Sequence, residues 1–432
     1  MKKNLLLFIV MFIMASASYA QWTHFNTYFP WSLFAVDFVD DQLGYAVGEQ
    51  GSVLKTTDGA ISWEVVKSVP GVWFTSVYAY NSNIVAAVGS YGSIYITLDG
   101  GATWLDRSIP FAPSGYYNHF RDVTYDPYID RYIVIGYAGA YYEVHTTLPY
   151  TMRTDIPWTM HSIALDYGYN DPLSAGYGKA YIAATDGRLY RTTNHGTSWL
   201  FVNIQMSMGI YDYLNSVVSF RENRAVIVGN NGRIIRTKNG GLSWTDISHG
   251  ITSQHLRAVD AAPSGAPPYT LVAVGDNGVM LKSLNGGVVW SNETSGTTNH
   301  LYGVSLPTTD YGYAIGEVGN GTYATSLFTD NLSATSISGN SEIVPDAFKL
   351  SQNYPNPFNP VTKINFGLPS SEFVKLTVFD ITGRVVDVLV NQSLDAGSYE
   401  FTFDATNLTS GMYFYRLDAG AFSETKKMML IK

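Results

Sequence analysis

Short apolar runs alternate with glycine-containing turns along most of the chain. Runs such as Gly44–Val47 and Ala225–Val228 are almost wholly apolar, whereas Gly232–Thr237 alternates between apolar and polar positions. Short continuous runs are typical of buried strands, and alternation is typical of strands with one exposed face. The pattern predicts units of four strands in roughly 45 residues, with a Gly-x-x-Gly turn between the second and third strands.

The unit recurs, and tryptophan marks the expected start of its outer strand. In five units the second glycine of the turn lies twelve residues before a tryptophan, and a sixth, Gly136–Trp158, fits with a seven-residue insertion. A seventh, at Gly316–Gly319, lacks its tryptophan, but Trp22 lies 41 residues before Trp63, as Trp63 does before Trp104. The tryptophans of this register are Trp22, Trp63, Trp104, Trp158, Trp199, Trp244 and Trp290. The register predicts an all-β, seven-bladed β-propeller whose N-terminal strand closes the last blade.

The N-terminus has the pattern of an export signal. Lys2 and Lys3 precede eleven apolar residues, Leu5–Ala15, and a small-x-small site ends at Ala20. Eleven residues are too few to span a bilayer, which needs roughly 20. We therefore expect a signal peptide over 1–20 and no transmembrane segment in the mature chain.

The C-terminal part of the chain differs from the repeats. Residues 328–344 are rich in Ser, Thr, Asn and Asp and predict a linker after a propeller spanning 21–327. In 345–432, alternating segments such as Lys375–Phe379 and Tyr399–Phe403 are separated by glycine-containing turns. This pattern predicts a small Ig-like antiparallel β-sandwich.

Composition narrows the classes of function. Charged residues make up only 14% of the 432 residues, aromatic residues another 14%, and there are 40 Gly and no Cys. The absence of Cys excludes disulfide scaffolds, thiolate metal sites and cysteine catalysis. The formal charge of −9 becomes −11 when Met1–Ala20 is removed, because that segment carries two lysines and no acid. This balance argues against a nucleic-acid partner.

The repeats resemble known propeller families. The turn Thr97–Trp104, Thr-Leu-Asp-Gly-Gly-Ala-Thr-Trp, resembles the Asp-box (BNR repeat) of sialidases and sortilin-type receptors. Asp58 and Asp99 are interpreted as structural, because such side chains accept backbone N–H groups within a turn. The longer unit Gly44–Gly59 resembles the photosystem II stability/assembly-factor-like propellers. That resemblance implies a binding platform rather than a reaction.

The tail begins with Tyr354-Pro-Asn-Pro-Phe-Asn-Pro360 and also contains the turn Asp380-x-x-Gly-Arg384 and the strand Ser410-Gly-x-Tyr413. With these motifs it resembles the type A C-terminal sorting domain of the type IX (Por) secretion system. The resemblance implies passage through the periplasm and outer membrane, removal of the tail by a sortase-like peptidase, and release or attachment at the cell surface. Its motif residues here are Pro355, Asn356, Pro357, Phe358, Asn359, Pro360, Gly383, Arg384, Gly411, Tyr413, Lys426 and Lys427.

Candidate binding residues gather where the loops enter the innermost strands. The positions two before the inner-strand Val or Ile hold Phe34, Thr75, Arg121, His161, Asn215, Arg257 and Tyr302. Two positions further back lie Ser32, Trp73, His119, Thr159, Tyr213, His255 and His300, and Trp31 is nearby. These positions predict a rim at the channel mouth that binds a glycan, peptide or protein by stacking and charge-assisted hydrogen bonds. The alternative is that polar residues collect there because strand ends are solvated.

No recognisable catalytic motif is present, and neither a cofactor nor a metal is expected. His119 lies across the predicted ring from His255 and His300, too far to share a zinc ion. The leading hypothesis is a secreted or cell-surface, non-catalytic binding or scaffold protein. The alternative is a secreted glycan-active hydrolase, sialidase-like or another glycosidase, whose carboxylate pair would come from separate blades.

Overall fold

The computed structural model describes residues 22–25, 27–112, 115, 117–147, 149–166, 178–221, 223–248, 250–263, 269–319, 322–332, 347–370, 372–394, 397–405 and 408–431. Two compact units are present, Met1–Ser336 and Ile337–Lys432. The predicted signal peptide, 1–20, lies outside the described residues, as does 333–344 of the predicted linker.

The first unit contains, in the part that the structure describes, seven four-stranded antiparallel sheets. A short strand, β1 (Thr23–His24), precedes them. Sheet 1 consists of β2 (Leu33–Phe38), β3 (Gly44–Gly48), β4 (Ser52–Thr56) and β5 (Glu64–Ser68), and sheet 2 of β6 (Phe74–Ala79), β7 (Val85–Gly89), β8 (Ile94–Thr97) and β9 (Leu105–Asp106). Sheet 3 consists of β10 (Phe120–Asp126), β11 (Arg131–Gly136), β12 (Tyr141–Val144) and β13 (Thr151–Arg153), and sheet 4 of β14 (Met160–Leu165), β15 (Ala180–Ala184), β16 (Leu189–Thr192) and β17 (Leu200–Val202). Sheet 5 consists of β18 (Leu214–Arg221), β19 (Arg224–Gly229), β20 (Ile234–Thr237) and β21 (Thr245–Asp246), and sheet 6 of β22 (Leu256–Ala261), β23 (Leu271–Gly275), β24 (Met280–Ser283) and β25 (Ser291–Asn292). Sheet 7 consists of β26 (Leu301–Ser305), β27 (Gly312–Gly316), β28 (Ser326–Thr329) and β1. One short helix, α1 (Ile204–Met208), lies between sheets 4 and 5.

The sheets form a ring. The first strand of each sheet packs against the first strand of the next, and β26 packs against β2. The N-terminal strand β1 is the outer strand of sheet 7, where Thr23 pairs with Phe328, as the tryptophan register predicts. Trp22, just before β1, is buried in one cluster with Leu327 and Leu332. Sheet 7 and its core therefore extend past residue 327, into the segment that the sequence assigned to the linker.

Side-chain hydrogen bonds join the first strands of neighbouring sheets at all seven junctions. The acceptors are Asp or Ser side chains of the first strands, and six of the seven donors are backbone N–H groups of the neighbouring strand or the residue after it. In ring order from sheet 1, the pairs are Asp37 with Ala79 N–H, Asp122 with the Ser76 hydroxyl, Asp122 with Ile163 N–H, Ser162 with Val217 N–H, Ser216 with Val259 N–H, Asp260 with Leu306 N–H, and Ser305 with Phe38 N–H. These hydrogen bonds join neighbouring sheets beside the channel, and hydrophobic packing joins the sheets further from the axis.

A tight 3-10 turn joins the second and third strands in six sheets. The turns are Glu49–Gly51, Ser90–Gly92, Tyr137–Gly139, Thr185–Gly187, Asn230–Gly232 and Asp276–Gly278. In sheet 1 the second glycine, Gly51, has φ +59, which favours glycine. The first, Gly48, is extended, but a Cβ there would lie 2.1 Å from the Ser32 carbonyl oxygen. Glycine is thus required for two different reasons within one turn.

Trp158 does not have the position that the register predicted. The other tryptophans of the register directly precede an outer strand, as Trp63 precedes β5. In sheet 3 the outer strand β13 begins at Thr151, twelve residues after Gly139, so no insertion separates the turn from this strand. Trp158 instead lies in the connection from β13 to β14, where the Arg188 guanidinium lies 3.7 Å from the centroid of its indole. The prediction for Trp158 is therefore wrong.

The second unit consists of two antiparallel sheets. One comprises β29 (Lys349–Leu350), β30 (Val361–Leu368) and β33 (Gly397–Asp404), and the other β31 (Glu372–Asp380), β32 (Val385–Leu394), β34 (Gly411–Ala419) and β35 (Phe422–Leu430). A single core takes side chains from both sheets, including Phe366 and Leu376. The two sheets thus pack face to face as a β-sandwich.

No helix in the described part of the chain is long and apolar enough to cross a membrane.

Candidate functional site

A cavity of about 700 Å³ runs along the axis of the ring. The innermost strands of all seven sheets line it. All seven predicted rim residues two before the inner Val or Ile contribute to that lining: Phe34, Thr75, Arg121, His161, Asn215, Arg257 and Tyr302. We call the end of the ring where the first strands begin, and where the Gly-x-x-Gly turns also lie, the channel face.

Arg121 and His161 form one side of the cavity mouth. His161 is only 9% exposed, and neither of its ring nitrogens has a hydrogen-bond partner among the described residues. Burial, and then the positive charge of Arg121, lower the pKa of His161 to about 4, so this imidazole is neutral at physiological pH. The Arg121 guanidinium lies 5.7 Å from the centroid of the Tyr137 ring.

The other side of the mouth is aromatic or already paired. The rings of Phe34 and Tyr302 lie 5.6 Å apart. Arg257 donates two hydrogen bonds to the Asp276 carboxylate, at 2.8 and 2.9 Å. Burial raises the pKa of the Tyr302 hydroxyl, so it is no better a nucleophile than an ordinary tyrosine.

A line of aromatic rings runs outward from the mouth across sheets 2 and 3. His119 lies between Tyr137, at 6.2 Å, and Tyr91, at 5.5 Å between ring centroids. Tyr91 contacts Tyr117 at 5.2 Å, and Tyr117 stacks on Phe111 at 4.8 Å. All except His119 are exposed. We call Phe111, Tyr117, Tyr91, His119 and Tyr137 the aromatic row.

The two tryptophans outside the register are both exposed. Trp73 lines the cavity, whereas Trp31 lies outside its lining. The Trp73 backbone is tied to the turn that carries Tyr91, because Trp73 N–H donates to the Ser90 hydroxyl and Ser90 N–H donates to the Trp73 carbonyl oxygen. Trp73 is thus held next to the aromatic row.

Of the four predicted rim histidines, His255 and His300 make contacts between sheets. Nδ1 of His255 accepts the Asn231 N–H at 2.9 Å, and Nδ1 of His300 accepts the Asn277 N–H at 3.1 Å. Each contact joins a first strand to the turn of the preceding sheet. His119 makes ring contacts instead. No group of three or more His, Cys, Asp or Glu suited to a metal ion occurs within the described ranges.

The carboxylates that line the channel serve the junctions of the ring. Asp37, Asp122 and Asp260 each accept a backbone N–H from the next sheet. Burial raises the pKa of all three, to about 8 for Asp37 and about 6 for Asp260. Each has a structural partner, and none is presented at the mouth as a free catalytic acid or base.

The first group of predicted sorting residues, Pro355–Pro360, contacts the end of the chain. Phe358 is buried; its N–H donates to the Met429 carbonyl oxygen at 2.9 Å, and its own carbonyl accepts the Ile431 N–H at 3.0 Å. The side chain of Asn356 accepts the Met429 N–H. Pro355, Pro357 and Asn359 are exposed, and Pro360 is half-buried. The proline-rich opening therefore lies along β35.

The remaining sorting residues occupy turns and the last two strands. Asp380 accepts the Arg384 N–H, and its carboxylate contacts the Arg384 guanidinium at 3.0 Å around Gly383, which has φ +83. Tyr413, two residues after Gly411 in β34, donates to the Thr409 carbonyl oxygen. In β35, Lys426 pairs with Glu424, and Lys427 is exposed.

Most residues of the aromatic row were not predicted from the sequence. Tyr91 and Tyr137 lie inside the Gly-x-x-Gly turns, whose sequence predicts only hairpin connections, and Phe111 and Tyr117 lie in the loop before β10. These turns and the entering loops lie at the same end of the ring. A tyrosine within the turn was therefore the signal in the sequence that could have indicated these binding-site residues.

The tail and the ring are each similar to known proteins. Residues 352–432 match the secretion system C-terminal sorting domain family, and this match indicates export by the type IX system, to the medium or the cell surface. No curated protein matches the chain.

Several solved structures share the fold of the ring. "YCF48 bound to D1 peptide" has 19% identity and a TM-score of 0.55, covering 72% of this chain and 97% of that chain. YCF48 from Cyanidioschyzon merolae has 15% identity and a TM-score of 0.54, covering 73% and 100%. The WD40 β-propeller domain of Doa1 has 12% identity and a TM-score of 0.50, covering 74% and 100%. At these identities the similarity shows the β-propeller fold alone.

Proposed function

We propose that this chain is an exported, non-catalytic binding protein whose seven-bladed propeller holds an extended glycan or peptide on its channel face. The observation that carries the proposal is the aromatic row, which begins beside Arg121 in the cavity mouth and continues outward to Phe111. Exposed tyrosine rings in contact with one another offer flat apolar faces and hydroxyl groups, which suit sugar rings and extended peptides alike.

A peptide ligand has one additional support. One of the similar propeller structures is described as bound to a peptide, so this fold has accommodated such a ligand in another protein. A glycan is supported by the row itself and by Trp73, whose exposed indole lines the cavity. The same array experiment therefore tests both ligand classes.

The glycosidase alternative has weaker support. Such enzymes need two carboxyl groups that face the substrate, and the carboxylates lining this channel accept backbone N–H groups instead. A sialidase-like mechanism needs an activated tyrosine, whereas the pKa of Tyr302 is raised. These contacts favour binding over hydrolysis.

The tail determines the proposed route and partners. We propose that the type IX machinery recognises the sorting residues in 345–432 and that a sortase-like peptidase cuts in the linker, within 328–344. The propeller is then released or attached at the cell surface, where it meets its ligand. A signal peptide over 1–20 would first direct the chain to the periplasm.

The binding proposal is tested on glycan and peptide arrays with the full chain and the Tyr91→Ala/Tyr117→Ala double variant. Loss of two stacking faces should reduce binding at least tenfold. Ile61→Ala is a matched control, because Ile61 is an exposed apolar residue in the turn between the third and fourth strands, at the opposite end of the ring. Binding that survives the double variant, or hydrolysis of an arrayed glycan, contradicts the proposal.

A further inference from the structure

We propose that Arg121 and His161 form a subsite for a carboxylate group at the mouth of the channel. This inference rests on the proposed function and adds the chemistry of one end of the ligand. It is carried by two polar side chains that line one cavity and have no hydrogen-bond or ion-pair partner among the described residues.

The first observation concerns His161. The side chain lines the cavity and is more than nine-tenths buried, yet both ring nitrogens lack a hydrogen-bond partner in the part of the chain that the structure describes. Its ring lies 5.8 Å from that of Tyr213 between centroids, which is a packing contact. A buried polar group without a partner is costly, and native proteins rarely leave one unless a ligand or water completes it.

The second observation is the difference between two arginines of the same cavity. Arg257 is neutralised by the two hydrogen bonds to Asp276. Arg121 has no carboxylate partner among the described residues, and its recorded contact is with the face of Tyr137. The adjacent carboxylate, Asp122, accepts from Ser76 and from the Ile163 N–H at the ring junctions. One guanidinium is thus uncompensated in a chain whose formal charge is −9.

The chemistry of these two groups selects the ligand. A guanidinium has a planar fork of N–H donors that matches a carboxylate, and charge-assisted bonds of this kind are stronger than neutral ones. His161 is neutral near pH 7 and supplies one N–H donor and one acceptor without adding a second positive charge. The subsite therefore carries a single positive charge and suits a carboxylate better than a dianionic phosphate.

The position of the subsite relates it to the aromatic row. Arg121 contacts Tyr137, the member at one end of the row, and also lines the cavity. A ligand that lies along the row would therefore place its end at Arg121. The carboxylate could be the C-terminus of a peptide or the acid group of a uronic sugar, and both share the chemistry required.

The test is a ligand-observed NMR titration of the full chain with two matched pairs of probes. Hippurate and hippuramide differ by the carboxylate of a peptide-like end, and glucuronate and glucose differ by the acid of a sugar. At least one acid should bind tenfold or more tightly than its neutral counterpart. Arg121→Gln should remove that preference, and His161→Phe should weaken acid binding several-fold. Lys238→Gln removes a positive charge from an exposed turn at the opposite end of the ring and serves as the charge control.

The outcomes separate the subsite from the proposed function. Preference for hippurate identifies a peptide end, and preference for glucuronate identifies an acidic sugar; either supports the subsite if Arg121→Gln abolishes it. Equal binding of acid and neutral probes, no binding of either acid, or an acid preference that survives Arg121→Gln overturns the carboxylate subsite. Array binding that depends on Tyr91 and Tyr117 would stand even then, because it reports on the row alone.

Discussion

Asp37 in sheet 1 accepts a 2.7 Å hydrogen bond from the backbone N–H of Ala79 in sheet 2. The contact is one of the seven that join the innermost strands, and Asp37 also lines the channel. Burial is the main reason that the pKa of Asp37 rises to about 8, and the nearby carboxyl groups of Asp260 and Asp122 raise it further. The junction between sheets 1 and 2 is therefore coupled to the protonation of a carboxyl group.

The first prediction is a pH-dependent stability that Asp37→Asn removes. In the folded chain Asp37 keeps its proton up to about pH 8, whereas in the unfolded chain it loses the proton near pH 4. Its contribution to stability is therefore fully present below pH 4 and is lost as the pH rises towards 8. Asn keeps an acceptor for the Ala79 N–H and does not titrate. The difference in unfolding free energy, variant minus wild type, should increase by about 2–4 kcal/mol from pH 5 to pH 9.

The control for this prediction is Asp99→Asn. The Thr103 hydroxyl is the main reason that the pKa of Asp99 falls to about 2, so this residue is ionised in both states across the same interval. Its substitution should change stability by an amount that is constant from pH 5 to pH 9. Thermal denaturation curves at several pH values measure both variants. A constant difference for Asp37→Asn would show that Asp37 is already ionised in the folded chain.

The second prediction compares two tryptophans of the same sequence register. Trp22 is 3% exposed in the core of sheet 7, so Trp22→Ala should lower the unfolding free energy by about 3–5 kcal/mol. Trp158 is exposed and contacts mainly Arg188, so Trp158→Ala should cost about 1 kcal/mol or less. Chemical denaturation measures both. Similar losses for the two would contradict the positions assigned to them.

Much of the fold could be predicted because it repeats. Five copies of one spacing between Gly and Trp located turns and outer strands, and the unpaired Trp22 indicated how the ring closes. The outer strand of sheet 3 was misplaced because Trp158 follows the turn at Gly139, whereas β13 already begins at Thr151. In the sequence, a tryptophan in a connection cannot be distinguished from one that precedes an outer strand, because the difference depends on tertiary packing.

The candidate site was only partly predictable. Strand periodicity placed Arg121, His161 and Arg257 on one ring, and these residues do line the cavity. The ion pair between Arg257 and Asp276 could not be predicted from the sequence, because Asp276 lies nineteen residues away in a turn. That His161 has no hydrogen-bond partner among the described residues depends on the positions of its neighbours in the fold. Such differences between equivalent positions are seen only in the tertiary structure.

The third prediction concerns the turn of sheet 2. Gly92 has φ +70, and a Cβ there would lie 1.9 Å from the Ile109 carbonyl oxygen. Gly71 has φ +82, but a Cβ there would meet nothing within 4 Å. Gly71→Ala should therefore cost only the left-handed conformation, about 1–2 kcal/mol, whereas Gly92→Ala adds a backbone clash and should cost clearly more. Melting temperatures of the two variants measure the difference, and equal shifts would contradict it.

The fourth prediction tests how the proline-rich opening is attached to the sandwich. The buried Tyr415 hydroxyl accepts the Asn353 N–H and donates to the Ser351 carbonyl oxygen, each at 2.8 Å. Tyr415→Phe leaves both groups without this partner and should destabilise the tail by about 1–3 kcal/mol. Tyr354→Phe is the matched control, because Tyr354 is exposed. Limited proteolysis followed by mass spectrometry should show earlier cleavage within 352–432 for Tyr415→Phe alone.

The last prediction concerns export. Deleting Tyr413–Lys432 removes β35 and most of β34, so β31 loses one of its two partner strands and Phe358 loses its backbone partners Met429 and Ile431. The sorting residues Lys426 and Lys427 are lost as well. Because the match to a sorting domain extends over 352–432, the truncated chain should accumulate in the periplasm, whereas the Tyr91→Ala/Tyr117→Ala variant should be exported normally. Cell fractionation with immunoblotting distinguishes these fates. Surface display of the truncated chain would mean that residues 413–432 are not needed for recognition, and the sorting signal would then have to lie before Tyr413.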